Sequence, residues 1–279
     1  MTAREALARA AAALRAAGVP EAARDAGRLL DHHAGRLFPS DDVPDLRGFE
    51  ALVARRARRE PVSQITGRRA FWRHEFLVTR DVLDPRPETE TLVAAALAAP
   101  FRQVLDLGTG SGCILLSLLA GRSEASGLGA DRSDAALAVA RENAALMALQ
   151  GRATFARSDW FDGVEERFDL IVSNPPYIAE EEMDGLAPEP RLWEPREALC
   201  PGGDGLGAYR VILLGACAHL TPKGRILLEV GPKQAHTVAS MAADAGFEEV
   251  AVIRDLDGRD RVVGGRLGGN LPCKGDSRL

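Results

Sequence analysis

The sequence predicts an α/β fold: a doubly wound, Rossmann-like parallel sheet that follows a small helical N-terminal domain and a linking β-hairpin. From residue 103 onward, short apolar strand patterns alternate with helical ones, as in VLDLG, ILLSLLAG, GLGAD and AALAVARENAALMAL. Such alternation is typical of a parallel sheet covered by helices on both faces. Before residue 60, apolar residues such as Phe49 and Val53 recur at helical spacing, which predicts helices.

The chain divides into three predicted segments. Residues 1–60 form the helical domain, residues 61–84 the hairpin linker and residues 85–279 the domain with the sheet. In the linker, PVSQITG and FWRHEFLVTR contain the β-branched and aromatic residues of strands. The arginine run at residues 55–59 is interpreted as a solvated helix face. The tail after Leu267 is predicted to be mobile.

Composition limits the classes of function. The 279 residues are 46% hydrophobic and 27% charged, which is typical of a soluble globular protein. No apolar run approaches the ~18 residues of a membrane span and the N-terminus lacks a signal-peptide pattern, so we expect a cytoplasmic protein without a membrane partner. The net charge of -5 argues against a stable nucleic-acid partner. The cysteines occur singly, which predicts buried thiols and no metal site.

A glycine-rich turn follows the first strand of the predicted sheet. Its residues are Gly108, Thr109, Gly110, Ser111 and Gly112. Such a turn lets a ligand approach the backbone at the carboxyl edge of the sheet. The third glycine of the dinucleotide fingerprint would fall on Cys113, so the match to a dehydrogenase fails there. Asp131 ends the next strand, where a carboxylate can accept both ribose hydroxyls, and together these features predict a cofactor of the adenosine type.

Three further residues favour S-adenosylmethionine over NAD. Asp106, inside the end of the first strand, can interact with the cationic methionine group of that cofactor. Asp159 and Trp160 end the third strand at the depth of the adenine ring, where the carboxylate can meet the exocyclic amine and the indole can pack on the ring. Two alternatives stay open, because Asp159 could cap the following turn and Trp160 could belong to the core.

The fourth strand, FDLIVS, runs directly into the NPPY tetrapeptide, Asn174, Pro175, Pro176 and Tyr177. An amide nitrogen is a weak nucleophile because its lone pair is delocalised, so methyl transfer to it requires acceptors that hold both N–H groups. The Asn174 side-chain oxygen and the Pro175 carbonyl can do this, and Asn174 is also a candidate contact of the cofactor. The prolines restrict the backbone, and Tyr177 offers a flat face to a planar group. The alternative is that the tetrapeptide is only a rigid turn.

These motifs resemble those of the glutamine N(5)-methyltransferases that modify release factors (PrmC/HemK type). The resemblance runs from about Pro61 to Leu267 and includes LDLGTGSGCI, SDWF, SNPPYI, LLEVGPKQ and DLDGRDRVV. NPPY is shared with adenine and guanine methyltransferases, whereas PRPETE and EPREALCPGGDGL are more specific. Two departures are visible. Asp84 stands where the family usually has an apolar residue before PRPETE, and the tail beyond Leu267 matches no part of the family pattern.

The resemblance implies a class I methyltransferase that binds S-adenosylmethionine with the glycine turn, Asp131 and Trp160. It implies that the NPPY tetrapeptide holds the glutamine of the Gly-Gly-Gln motif in class 1 peptide chain release factors, and that the helical domain recognises this substrate. Three other interpretations remain: a nucleic-acid methyltransferase acting on an exocyclic base amine, a catalytically silent cofactor-binding module, and an NAD-dependent oxidoreductase. The first of these normally needs a basic surface or an added recognition domain, and the acidic chain shows neither.

Overall fold

The computed structural model describes residues 1–268, which form two compact units. The first unit consists of Met1–Arg68 together with Leu186–Trp193, and the second of Arg69–Gly185 together with the chain from Glu194 onward. The predicted domain boundaries at residues 60 and 84 stay a prediction. The predicted mobile tail lies, from residue 269 on, outside the described residues. No helix within residues 1–268 is long and apolar enough to cross a membrane.

Helices form the N-terminal part of the first unit, which confirms the prediction of a helical N-terminal region. They are α1 (Ala3–Ala16), α2 (Ala22–Ala34), α3 (Leu46–Ala57) and α4 (Val62–Thr66). Thr2 caps α1 in a capping box with Glu5, and the Asp45 side chain caps α3. Leu14 and Leu29 are fully buried in the apolar core that these helices share. This core explains the helical spacing of the apolar residues in the sequence.

The interpretation of the arginine run as a solvated helix face was wrong for Arg56 and Arg59. Arg56 is 6% exposed, and its Nε donates to Oδ2 of Asp25 at 2.8 Å. Arg56 Nη2 also donates to Oε1 of Glu189 at 2.8 Å, and Arg59 Nη2 donates to Oε2 of the same carboxylate at 2.7 Å. These contacts tie the segment Leu186–Trp193 into the first unit. The partner carboxylate is 133 residues from Arg56 in the chain, so local charge spacing gives no sign of it.

The linker contains a β-hairpin, but only part of it matches the prediction. β1 (Arg68–Phe71) and β2 (His74–Leu77) form a two-stranded sheet, with Trp72 at a φ of 55° in the turn between them. The prediction of a strand in PVSQITG was wrong, because this segment contains α4 and ends at Gly67 with a φ of 72°. A glycine in the left-handed region is a common helix end. This local boundary outweighs the strand preference of the β-branched residues.

A seven-stranded sheet lies at the centre of the second unit and confirms the predicted α/β fold. Its strands are β3 (Gln103–Leu107), β4 (Ser126–Asp131), β5 (Ala153–Arg157), β6 (Phe168–Ser173), β7 (Leu220–Glu229), β8 (Phe247–Arg254) and β9 (Asp260–Leu267). The strand order is β5-β4-β3-β6-β7-β9-β8, and β3 to β7 are parallel. β9 runs antiparallel to both β7 and β8.

Helices bury both faces of this sheet. They are α5 (Glu90–Leu97), α6 (Cys113–Gly121), α7 (Asp134–Leu146), α9 (Arg196–Leu199), α10 (Gly207–His219) and α11 (Ala235–Asp244), while α8 (Pro188–Trp193) belongs to the first unit. One apolar cluster joins Leu92 and Leu115 to Leu170 of β6, and the other joins Tyr209 to Leu105 of β3. Cys113, Cys200 and Cys217 are buried, as predicted, whereas Cys273 lies outside the described residues.

The parallel strands end at one edge of the sheet. Leu107 of β3 is in register with Ala130 of β4 and with Ser173 of β6, and Ser173 is in register with Leu228 of β7. The Ser173 hydroxyl donates to the Leu107 carbonyl at 2.7 Å, which fixes β6 to β3 at this edge. The glycine turn, the end of β4, the NPPY tetrapeptide and the end of β7 therefore lie along the same edge.

Candidate active site

The glycine turn uses its three glycines in two different ways. Gly108, Gly110 and Gly112 all have positive φ values, of 69°, 54° and 79°. A Cβ placed on Gly108 or Gly110 would have no other atom within 4 Å, whereas one on Gly112 would lie 3.2 Å from Leu116 Cδ1 and 3.3 Å from Ala140 Cβ. Gly112 therefore permits close packing of α6 on α7. The first two glycines border open space, which suits a ligand that approaches the backbone.

Asp131 is held against the glycine turn by backbone hydrogen bonds. Its Oδ2 accepts from Gly110 N at 2.9 Å, and its Oδ1 accepts from Ser133 N at 2.9 Å. A carboxylate offers about four acceptor sites, so each oxygen can still accept a further hydrogen bond. The predicted position of Asp131 at the end of β4 is confirmed, and the geometry leaves it able to hold a pair of ligand hydroxyls.

Asp106 is fully buried at the end of β3. Its Oδ2 accepts from the Thr109 hydroxyl at 2.7 Å and from Leu115 N at 3.3 Å. Within residues 1–268, its Oδ1 has no hydrogen-bond partner. Burial raises the pKa of Asp106 to about 7, because water no longer solvates the charged form. An unpaired buried carboxylate oxygen is suited to meet a cationic group of a ligand.

Asp159 and Trp160 lie just beyond β5, which ends at Arg157, so the prediction that they end the strand was wrong by two residues. Asp159 is exposed, while Trp160 is half-buried with a φ of 54° and packs against the apolar cluster that contains Tyr209. The Ser158 hydroxyl donates to the Trp160 carbonyl at 2.9 Å, which fixes this turn. This packing supports the interpretation that Trp160 belongs to the core. The exposed part of its side chain can still contact a ligand.

The NPPY tetrapeptide begins immediately after β6. The side-chain nitrogen Nδ2 of Asn174 donates to the Thr89 hydroxyl oxygen at 3.2 Å. Because the nitrogen is occupied in this way, the side-chain oxygen Oδ1 is the atom left to accept from a substrate. Pro175 is buried and Tyr177 half-buried. Burial raises the pKa of Tyr177 to about 12, so its phenol is neutral at physiological pH.

Sequence reasoning missed a second set of residues that hold this loop. The Gln234 side-chain nitrogen donates to the Tyr177 carbonyl at 2.8 Å. Its Oε1 accepts from Gly231 N at 3.1 Å and from the Tyr209 hydroxyl at 3.4 Å. A Cβ on Gly231 would lie 3.2 Å from Tyr177 Cδ2, so the loop after β7 and the tetrapeptide are in close contact. The segment LLEVGPKQ, which belongs to the family resemblance, was the signal in the sequence that pointed to this loop.

Thr89 and Glu229 were missed in the same way. Thr89 ends a 3-10 turn, Pro87–Thr89, and is 2% exposed, while Glu229 is the last residue of β7 and is 1% exposed. The Thr89 hydroxyl acts to lower the pKa of the Glu229 carboxyl. Burial raises the pKa of Glu229 to about 7, and its Oε2 has no hydrogen-bond partner among the residues described. Thr89 thus lies between Asn174 and a buried carboxylate.

The two most specific motifs of the resemblance meet through an ion pair. Arg86 of PRPETE donates through Nη2 to both carboxylate oxygens of Glu194, the first residue of EPREAL, at 2.7 Å. The pKa of Glu194 is nevertheless raised, chiefly by burial. Asp84, the departure from the family pattern, is 5% exposed and lies 3.6 Å from Arg69 Nη1. The Asp84 carboxylate therefore forms an ion pair with Arg69, while its Oδ1 has no hydrogen-bond partner within residues 1–268.

Fold and site together define a methyltransferase. Residues 79–206 match the model of the methyltransferase small domain, and residues 5–67 match that of the PrmC N-terminal domain. The chain is 57% identical to the release factor glutamine methyltransferase of Cereibacter sphaeroides, over 96% of this chain and 99% of the relative. It is 43% identical to the protein of the same name from Rhodospirillum rubrum, over 93% and 84%. The chain belongs to the release factor glutamine methyltransferase family.

A solved structure shows the same fold. The crystal structure of a methyltransferase from Pyrococcus furiosus superposes with a TM-score of 0.54 over 69% of this chain and 88% of that one. The two are 17% identical, so this likeness supports the architecture alone.

Proposed function

We propose that this enzyme transfers a methyl group from S-adenosylmethionine to the side-chain amide nitrogen of the glutamine in the Gly-Gly-Gln motif of class 1 peptide chain release factors. The observation that carries the proposal is the orientation of Asn174, whose nitrogen is occupied by Thr89 and whose oxygen is thereby presented as an acceptor. The relatives named release factor glutamine methyltransferase support the choice of substrate.

The cofactor residues fit S-adenosylmethionine on three counts. Gly108 and Gly110 border open space in which the methionine part of the ligand can lie against the backbone. The unpaired oxygen of Asp106 suits the ammonium group, and the oriented carboxylate of Asp131 suits the two ribose hydroxyls. The remaining proposed contacts are Thr109, Ser111, Gly112, Asp159, Trp160 and Asn174. When bound, the cofactor supplies an electrophilic methyl group on a sulfonium.

The chain itself supplies positioning. The Asn174 oxygen and the Pro175 carbonyl accept the two N–H groups of the substrate amide, which aims the nitrogen lone pair at the methyl carbon. Pro175 and Pro176 limit the backbone motion of both acceptors. Tyr177, neutral at physiological pH, packs its ring against the planar amide. The nitrogen becomes acidic once it is alkylated and releases its proton to solvent, so no strong base is required.

The proposed setting is the cytoplasm, with the release factor as the protein partner and no stable nucleic-acid partner. The helical region of the first unit is proposed to recognise the release factor. The net charge of -5 supports a protein substrate over a nucleic acid, because phosphate backbones favour basic surfaces.

Methyl transfer from labelled S-adenosylmethionine tests this function. The purified enzyme is incubated with release factor, with release factor whose motif glutamine is replaced by alanine, and with DNA or RNA. We expect label on the unmodified release factor alone, and mass spectrometry should place one methyl group on the glutamine. Label in nucleic acid would instead support the alternative of an exocyclic base amine as substrate.

A further inference from the structure

We infer that a cavity at the edge of the sheet opposite the candidate active site binds the phosphate group of a small phosphomonoester. The cavity has a volume of about 520 Å³ and lies where β3, β6 and β7 begin. The glycine turn and the NPPY tetrapeptide instead follow the ends of β3 and β6. Since a strand rises ~3.3 Å per residue, the length of β3 separates the two edges by roughly 16 Å. The inference therefore does not depend on the proposed function.

Basic residues dominate the lining of this cavity. Its basic residues are Arg102, Arg122, Lys223, Arg225 and Arg266, and its acidic residues are Glu124 and Asp169. The chain as a whole has a net charge of -5, so the excess of positive charge is local. A concave surface lined mainly by one sign of charge attracts ions of the opposite sign. The cavity therefore favours an anion.

Two of these arginines lie directly opposite each other on neighbouring strands. Arg225 of β7 is in register with Arg266 of the antiparallel β9. The side chains of such a pair stand on the same face of the sheet, and like charges in these positions are destabilising. Glu249 Oε2 lies 3.1 Å from Arg266 Nε, but no carboxylate within residues 1–268 pairs with Arg225. Burial and the charges of Arg266 and Arg122 lower the pKa of Arg225. A bound anion would offset this repulsion.

Capping of helix α5 explains only part of this arrangement. Arg225 Nη2 donates to the carbonyls of Ala96 and Ala99 at 3.2 and 3.1 Å, and Arg122 Nη2 donates to the carbonyl of Leu97. Basic side chains commonly stabilise the last carbonyls of a helix in this way. A guanidinium has five N–H groups, so capping leaves most of them without an acceptor. The Nε of Arg122 is buried and has no hydrogen-bond partner among the described residues.

The two acidic residues of the lining do not neutralise the cluster. Asp169 Oδ2 accepts from the backbone nitrogens of Arg102 and Gln103 at 2.9 and 3.0 Å, and its Oδ1 accepts from the Thr221 hydroxyl at 3.2 Å. The Asp169 carboxylate is thus occupied by neutral donors. Glu124 is exposed and forms no ion pair within the described part of the chain. The guanidinium groups therefore keep their positive charge available to a ligand.

A bulge in β7 adds Lys223 to the cavity. Residues 221–224 of β7 lie between two register positions that are only two residues apart on β6, at Phe168 and Leu170. Bulges of this kind change the direction in which a side chain points. Lys223 has a φ of 64°, a conformation that costs energy in a residue other than glycine. The strained bulge thus contributes a further cation to the lining.

A phosphate group is the anion that this cluster fits best. It carries a charge near -2 and about three acceptor oxygens, and guanidinium groups bind it through paired hydrogen bonds. A carboxylate offers less charge and fewer oxygens. The cavity volume falls within the range of about 300–1,000 Å³ that is usual for small-molecule sites, which leaves room for an attached group the size of a sugar. An extended polyanion would also contact the rest of an acidic chain.

Calorimetry at constant ionic strength tests the ligand class. The probes are glucose 6-phosphate, glucose, inorganic phosphate and a single-stranded oligonucleotide. We expect a Kd of about 1 mM or tighter for glucose 6-phosphate and no binding of glucose. A weaker Kd for glucose 6-phosphate, or equal binding of glucose, would overturn the inference. Tighter binding of inorganic phosphate or of the oligonucleotide would also overturn it, because the cavity would then serve the free ion or a nucleic acid.

Four variants test the position of the site. Arg225→Gln should weaken binding of glucose 6-phosphate by on the order of tenfold or more, because charge-assisted hydrogen bonds are lost. Lys223→Gln, which leaves the caps of α5 intact, should weaken it by about threefold, and Glu124→Gln should tighten it by about twofold because a repelling charge is removed. Arg254→Gln is the matched control, since its side chain is 72% exposed and pairs with Asp260 outside the cavity. Equal affinities in Lys223→Gln and Arg254→Gln would count against the site.

A nuclear magnetic resonance titration locates the ligand directly. In the ¹⁵N-labelled protein, glucose 6-phosphate should shift the backbone amide signals of Thr221 and Gly224, which line the cavity. The signals of Gly108 and Gly110 in the glycine turn should stay unchanged. Shifts confined to the glycine turn would place the ligand at the proposed cofactor site and overturn the inference.

Discussion

Gln234 donates its side-chain N–H to the backbone carbonyl of Tyr177 over 2.8 Å, immediately before α11 begins. The other end of the same amide accepts from Gly231 N and from the hydroxyl of Tyr209. One side chain thus joins the end of the NPPY tetrapeptide to the loop after β7 and to the buried face of α10. The tetrapeptide is held at both ends, by Thr89 at Asn174 and by Gln234 at Tyr177.

Gln234→Glu should disrupt the far end of the tetrapeptide. The substitution keeps an acceptor for Gly231 and Tyr209 but places a carboxylate oxygen against the Tyr177 carbonyl. We expect kcat for the release factor to fall by on the order of tenfold, with affinity for S-adenosylmethionine nearly unchanged. Gln103→Glu, at the exposed start of β3, is the matched control and should keep the wild-type rate. Equal rates in the two variants would contradict the role of Gln234.

Asn174→Ala should reduce the methyl-transfer rate by roughly a hundredfold or more while leaving the fold and most of the cofactor affinity intact, since one pre-aimed polar contact to the reacting group is lost. Asn174→Asp should fail as well, because aspartate keeps an oxygen but cannot donate to Thr89. Single-turnover kinetics on purified release factor measure both. An alanine variant that reacts at the wild-type rate would remove Asn174 from the proposed mechanism.

Asp131→Ala should weaken binding of S-adenosylmethionine by on the order of 2 to 3 kcal/mol, because charge-assisted hydrogen bonds to the ribose are lost. Loss of the hydrogen bond from Gly110 N should weaken cofactor binding further, because it loosens the glycine turn. Isothermal titration calorimetry measures the affinity. Asp134→Ala is the control, because its side chain is 72% exposed and, among residues 1–268, forms an ion pair only with Arg157, at 3.6 Å. Unchanged affinity in Asp131→Ala would exclude it from the ribose site.

Asp106 should give the free energy of unfolding a specific pH dependence. Burial raises its pKa from an ordinary value of 3.8 to about 7, so between these values the folded chain binds more protons than the unfolded one. Stability therefore falls as the pH rises from about 4 to about 7. Glu229, whose pKa burial also raises to about 7, adds a decline of the same sign.

Asp106→Asn removes one of these two contributions. In this variant, the free energy of unfolding should fall less steeply with rising pH, by on the order of 1.4 kcal/mol per pH unit. Urea denaturation at several pH values between about 4.5 and 6.5 measures the slope. The same slope in wild type and variant would show that Asp106 does not titrate in this range.

Arg56→Ala should destabilise the first unit strongly. The substitution removes the one arginine that contacts both the Asp25 and the Glu189 carboxylate. These two side chains are only 8% and 19% exposed. Removing one member of a buried ion pair costs about 3–5 kcal/mol. Arg24→Ala breaks an exposed pair with Glu21 and should cost no more than about 1 kcal/mol. Chemical denaturation of the two variants compares them directly, and similar midpoints would count against a structural role for the buried cluster.

The sequence predicts most of the second unit because local patterns carry the information. Strand β6 and the end of β4 at Asp131 fall where the alternation of strands and helices places them. The same patterns mislead where a boundary residue competes with strand preference, as in α4, which ends at Gly67. Propensities of Val, Ile and Thr describe average surroundings, whereas a glycine with positive φ ends a helix at one position.

The missed parts of the site depend on contacts between distant positions. Thr89 and Asn174 are separated by 85 residues, and Gln234 and Tyr177 by 57. Neither spacing produces a periodic signal, and a buried threonine or a half-buried glutamine has no characteristic neighbours in a single sequence. Arg56 was misjudged for the same reason, since its partner Glu189 comes from far along the chain.

The first unit is assembled from two separate stretches of chain, Met1–Arg68 and Leu186–Trp193. It therefore cannot be exchanged between relatives as one contiguous cassette. A chimaera that replaces only the N-terminal stretch would pair a foreign α3 with the resident Glu189, and would keep the cluster only where the donor supplies arginines matching Arg56 and Arg59. A chimaera designed to transfer the proposed recognition role of this unit therefore has to include both stretches.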